Sequence, residues 1–139
     1  MKLIFLLIAI PTILAREQSV RITGTLLCHG KPAEYAELQL VNKKYIGGDA
    51  FARDVFTDPS GQFEIAGYIN PSWWSGDISG RLYIWHKCFP KPYEHQDPCH
   101  NWFEIEVPKI YVNEGPLAQK TWNLGEIPLE FPGQKLVCP

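Results

Sequence analysis

FARDVFTDPSGQFEIAGY, residues 51–68, holds two runs of alternating apolar and polar residues on either side of a short break. In that break, DPSG, Asp58 brings a side-chain acceptor, Pro59 a fixed φ and Gly61 tolerance of positive φ, the ingredients of a tight turn. FARDVFT and QFEIAGY are therefore expected as the two strands of a hairpin. The same alternation continues in both directions. Upstream, Val20, Ile22, Gly24, Leu26 and Cys28 share one face of a strand, with Arg21, Thr23 and Thr25 on the other. HGKP turns the chain, and a second strand sets Ala36, Leu38 and Leu40 inward against Tyr35, Glu37 and Gln39 outward. Downstream, RLYIWHKC places Leu82, Ile84, His86 and Cys88 on one side and Tyr83, Trp85 and Lys87 on the other. NWFEIEVP alternates Phe103, Ile105 and Val107 against Glu104 and Glu106, and KIYV and TWNLGEIPL are less regular strands. Nowhere do apolar residues recur at helical spacing over a useful length. The fold class is all-β, and about seven or eight short strands at this spacing imply a two-sheet sandwich with Greek-key connections.

The first fifteen residues, MKLIFLLIAIPTILA, combine Lys2, an apolar run and a small residue at Ala15. This is the pattern of a secretory signal peptide, too short for a membrane span. Residues 1–15 are expected to be removed, leaving one domain over residues 16–139 that is secreted and extracellular. No later stretch is apolar enough to span a bilayer. With 13 basic and 15 acidic side chains and a net charge of −2, the chain lacks the concentrated basic surface of a nucleic-acid binder. Its Asn70-Pro71-Ser72 triplet is blocked as a glycan acceptor by the proline.

WHKCFPKPYEHQDPCH, residues 85–100, gathers histidines and cysteines, and a metal site has to be weighed there. The spacing lacks a C-x-x-C pair, and His95 and His100 complete no zinc pattern with Cys88 and Cys99. In an oxidising compartment the four cysteines read instead as two disulfides. Cys88 with Cys99 is the expected pair, because the proline-rich segment between them reads as a loop joining two strands, and Cys28 with Cys138 follows by exclusion. His86 shares a strand face with Leu82 and Ile84 and is expected as a buried, hydrogen-bonded imidazole, whereas His29, His95 and His100 are expected in solvent.

The loop INPSWWSGDISG, residues 69–80, carries adjacent tryptophans among small residues. Trp73 and Trp74 are candidate contacts for a ligand, partner or membrane boundary, with Asp77 and Arg81 as polar companions for a headgroup. No nucleophile, base and orienting acid can be assembled from local sequence, and no catalytic residue, cofactor or metal is expected.

GTLLCHGKPA (24–33), TDPSGQFEIAG (57–67), LYIWHKC (82–88), the later Cys99, IEVPKIYV (105–112) and NLGEIPL (123–129) together resemble the nematode transthyretin-like secreted proteins, across nearly all of residues 16–139. The resemblance implies a transthyretin-like, or prealbumin-like, sandwich without enzymatic activity. It implies an extracellular carrier of a hydrophobic small molecule, or an adaptor for a lipid headgroup or cell-surface receptor. Two features depart from the family's pattern: SGDISG before the LYIWHKC strand lacks an Asp-Pro, and the Trp73-Trp74 pair is unusual. One branch of this fold hydrolyses hydroxyisourate through a Tyr-Arg-Gly-Ser type C-terminal motif. This chain ends GQKLVCP, which argues against that alternative.

Overall fold

The structure, a computed structural model, describes residues 16–43, 48–71, 76–91 and 99–138. Its strands are β1 (Gln18–Cys28), β2 (Lys31–Pro32), β3 (Glu37–Lys43), β4 (Gly48–Phe56), β5 (Gln62–Ile69), β6 (Gly80–His86), β7 (His100–Glu106), β8 (Asn113–Glu114), β9 (Trp122–Pro128) and β10 (Lys135–Val137). Among the described residues the one helical element is a 3₁₀ turn, Lys109–Tyr111.

Two sheets face each other. In the first, β1 pairs antiparallel with β5 along one edge and parallel with β9 along the other, while β2 and β8 pair with its two ends. The second runs β10-β7-β6-β3-β4, antiparallel throughout. Val20, Ile22 and Leu26 of β1 with Phe63 and Ile65 of β5 meet Leu38 and Leu40 of β3 and Leu82 and Ile84 of β6 in one buried cluster. Each of these aliphatic side chains contributes roughly 1.5–3 kcal/mol by leaving water. The inward aliphatic residues read from alternation in β1, β3 and β6 are buried, with Gly24 and Cys28 of the β1 set half-buried, because the pleat sends successive side chains to opposite faces.

The expected hairpin across residues 51–68 does not form. β4 pairs with β3 and β5 pairs with β1, so the DPSG turn carries the chain from one sheet to the other. The turn chemistry itself is as expected. Asp58 Oδ1 accepts from the Ser60 and Gln62 amides, each at 2.9 Å, and Gly61 adopts φ 77°. What separates the strands is where the turn docks. Buried Thr57 donates its hydroxyl to the Ala33 carbonyl (2.6 Å) and accepts from the Ala36 amide (2.9 Å), holding the end of β4 to the start of β3. The Leu26 amide donates to the Gly61 carbonyl (2.8 Å), holding the start of β5 to β1. Farther along, the two strands cross where Gly67 meets Phe51; a Cβ on Gly67 would lie 2.3 Å from the Phe51 carbonyl oxygen.

All four cysteines are oxidised, but the expected pairing is corrected. The bonds are Cys28–Cys88 and Cys99–Cys138, with Cα separations of 5.7 and 4.2 Å. Strand parity supplies the reason for the first. Cys28 follows Leu26 on the inner face of β1, Cys88 follows His86 on the inner side of the chain leaving β6, and the two meet between the sheets. Register supplies the second: His100 lies opposite Val137, so the residues just beyond them, Cys99 and Cys138, come together. The short strand β10, absent from the sequence reading, is what brings the C-terminal segment there.

Candidate functional site

The Cys28–Cys88 bond lies at one end of the sandwich, where several segments converge on a cleft of about 670 Å³. That volume falls within the usual range for small-molecule sites. One approach is the turn after β1, in which His29 (φ 49°) and Gly30 (φ 80°) both take left-handed conformations. These two residues close the β1–β2 hairpin in the manner of a type I′ turn, with Cys28 opposite Lys31. A second approach is the link into β3, residues 33–36, pinned by Thr57 as described. The third is the end of β6.

Burial divides the lining. Ala36, His86, Cys88 and Leu129 are buried and form its inner part. Tyr35 and Phe56, 74% and 50% exposed, stand at the rim. Tyr35 has φ 60°, an uncommon conformation for a bulky residue, and it directs the next residue, Ala36, into the core. Glu37 sits in register between Phe56 of β4 and Trp85 of β6, and all three line the cleft. Among the described residues Glu37 has no hydrogen-bond or ion-pair partner. Trp85 continues outward into an aromatic group: its ring lies 6.4 Å from Trp102, and Tyr83 lies 5.5 Å from Trp102. Lys135 Nζ sits 4.5 Å from the Trp102 ring centroid, in cation–π contact.

His86 is buried, as its strand face implies, and both its nitrogens are occupied. Gln134 Nε2 donates to the Leu129 and Phe131 carbonyls, which leaves its Oε1 as an acceptor aimed at His86 Nε2, 2.6 Å away. His86 Nδ1 in turn accepts from the Cys88 amide at 3.0 Å. Nε2 therefore carries the proton, and the ring is the neutral tautomer. Burial lowers its pKa, against a smaller raising effect of the Gln134 bond and with a further lowering from His100. This is an imidazole used to tie β6 to the C-terminal segment.

Of the other histidines, His29 is in solvent as expected and His100 is not. His29 is exposed, yet its Nε2 lies 2.8 Å from the Phe89 carbonyl; His100 is half-buried and lines the cleft. His95 lies outside the described residues, as do Trp73 and Trp74. Cys28, His29 and Cys88 bring potential ligand atoms within 4.8 Å of one another, but both sulfurs are committed to the disulfide and offer no thiolate.

Asp77 and Arg81 lie away from the cleft and are engaged within the fold. Asp77 accepts from Arg16 and from Gln18 Nε2 (3.0 Å), and these bonds, Gln18 first, lower its pKa. Buried Gln18 also receives the Ile78 amide at 2.9 Å and donates to Glu114 at 2.8 Å, so it clamps the segment following the tryptophan pair. Arg81 bonds Ser79 Oγ at 3.1 Å and lies 3.7 and 3.6 Å from Glu104 and Glu106.

The signal for the cleft was partly present in the sequence. Alternation places Glu37 and Trp85 on outer faces, but their adjacency depends on β3 pairing with β6 across a long chain separation.

The profile of the transthyretin-like family matches residues 23–108. Transthyretin-like protein 2 of Caenorhabditis elegans is 32% identical over 130 residues, covering 90% of this chain and 85% of that protein. Transthyretin-like protein 5 of the same organism is 31% identical over 147 residues, covering 99% of each. Among solved structures, a 9R-lipoxygenase from Cyanothece matches with 21% identity and a TM-score of 0.44, over 81% of this chain and 17% of that enzyme, a likeness too loose to bear on function. With the two-sheet architecture, the family match and these relatives in agreement, the chain belongs to the transthyretin-like family.

Proposed function

We propose that this protein is secreted, catalyses nothing, and carries a small hydrophobic molecule in the cleft at the Cys28–Cys88 end of the sandwich. The observation that carries this reading is the cleft itself: a volume of about 670 Å³ with an inner part of Ala36, Cys88 and Leu129 beside the bonded His86, and a rim of polar and aromatic side chains. Apolar burial with a few polar groups at the mouth is the general design of a small-molecule site. His86, the buried imidazole of the lining, has both nitrogens bonded and so offers no free base there.

The experiment is binding of Nile red, an uncharged apolar dye, to protein purified from a secreting host and stripped of lipid. Saturable binding is expected, and Ala33→Trp, which adds an indole to the cleft lining, should weaken it by at least tenfold in protein that still unfolds cooperatively. If the wild-type protein takes up no dye, or the variant binds it as well as wild type, the carrier reading fails. In that case, attachment to vesicles or cells would favour an adaptor acting through another surface.

A further inference from the structure

Resting on that reading of the cleft, we infer that its ligand is a cationic amphiphile, an aliphatic body bearing an ammonium group that seats against Glu37 between Phe56 and Trp85. Three observations converge. First, Glu37 is half-buried and has no hydrogen-bond or ion-pair partner among the described residues. A carboxylate partly withdrawn from water is costly unless a donor or cation answers it. Lys87, a lysine of the same lining, takes part in an interaction of its own.

Second, the carboxylate is flanked on both sides by aromatic residues. Glu37 is directly opposite Phe56 on β4 and directly opposite Trp85 on β6. Directly opposed residues project to the same side of a sheet with Cβ atoms about 4.5–5.5 Å apart. A ring face attracts an ammonium through its quadrupole, and a carboxylate between two rings adds charge attraction at the same point. An anionic headgroup would meet repulsion there, and Glu34 on the same lining adds to it.

Third, the same row of the sheet already shows this chemistry. Continuing from Trp85, the directly opposed residues are Trp102 on β7 and Lys135 on β10, and Lys135 Nζ lies 4.5 Å from the Trp102 ring. The protein's own ammonium thus occupies one end of the row. At the other end, the acid and two aromatics stand beside the cleft with no ammonium paired to Glu37 among the described residues. Ala36, Cys88 and Leu129, the apolar residues of the inner part, then receive the aliphatic body.

The test is a titration, followed by tryptophan fluorescence and calorimetry, with decylammonium, decyltrimethylammonium, decanol and decanoate below their aggregation thresholds. Both ammonium probes are expected to bind at least tenfold more tightly than decanol, and decanoate more weakly than decanol. A preference for the trimethyl head would assign the discrimination mainly to the rings, and a preference for the primary amine mainly to hydrogen bonds with Glu37. Glu37→Gln should abolish the ammonium advantage over decanol, and Glu37→Lys should reverse the order in favour of decanoate. Equal binding of all four probes by a protein that does bind Nile red, or an ammonium advantage that survives Glu37→Gln, overturns the inference while leaving the carrier reading intact. Failure of every probe, Nile red included, overturns both.

Discussion

Removing the Cys28–Cys88 bond by the double substitution Cys28→Ala with Cys88→Ala tests how the two sheets are held together. The bonded residues are separated by 60 positions, and the loop-closure relation assigns a cross-link of that span about 4 kcal/mol through the entropy it removes from the unfolded chain. For a domain of this size each kcal/mol corresponds to about 3–5 °C, so the midpoint should fall by roughly 12–20 °C. The bond spans the sheets at the cleft, so its loss also frees the end of β6 from the end of β1. Thermal unfolding by circular dichroism gives the stability, and thiol titration of the denatured variant tests the pairing. Because Cys99 and Cys138 remain joined to each other, the thiol count should be zero. Cys88→Ala with Cys99→Ala should instead leave Cys28 and Cys138 without their native partners. The reasoning is refuted if the Cys28→Ala/Cys88→Ala protein exposes two thiols, or if its stability falls by less than about 1 kcal/mol. A non-reduced peptide map joining Cys88 to Cys99 would refute it independently.

Two further outcomes follow from buried polar groups. His86 has a pKa held below its ordinary 6.5 by burial, so the unfolded chain binds a proton that the folded one refuses; stability is complete above about 6.5 and declines as pH falls through the folded value. His86→Asn should flatten that acid limb in urea melts compared at pH 7.5 and pH 5, and an unchanged slope would show that other groups produce it. Thr57→Val removes both hydroxyl bonds at the corner between the sheets and leaves the Ala36 amide without that partner, which should cost about 2–3 kcal/mol in urea unfolding. A loss within about 0.5 kcal/mol would mean that the corner is held by its neighbours.

Alternation is a local property, and it was sufficient for the faces of the regular strands, though not for KIYV, expected as a strand, where Lys109–Tyr111 forms a 3₁₀ turn. The two-residue period of Val20-Ile22, Leu38-Leu40 and Leu82-Ile84 specifies which side chains are buried whatever strand lies alongside, because the pleat alone decides the face. Turn chemistry was equally legible: Asp58, Pro59 and Gly61 reverse the chain, and His29 with Gly30 closes a hairpin. The burial of His86 followed from the same parity. Choice of partner is a different kind of information. The turn at DPSG is compatible with a hairpin or with a crossing between sheets, and only Thr57 anchored to residues 33–36, with Gly67 admitting Phe51, selects the crossing. The cysteines show the same division. Each one's face could be read from its strand, but the bonds depend on which inner faces oppose each other and on a β7–β10 register that alternation does not encode. Glu37, Phe56 and Trp85 come from three strands that are distant in the chain. Their meeting at a cleft is decided by strand order alone, since side-by-side position across a sheet depends on long-range pairing and leaves no trace in any one segment.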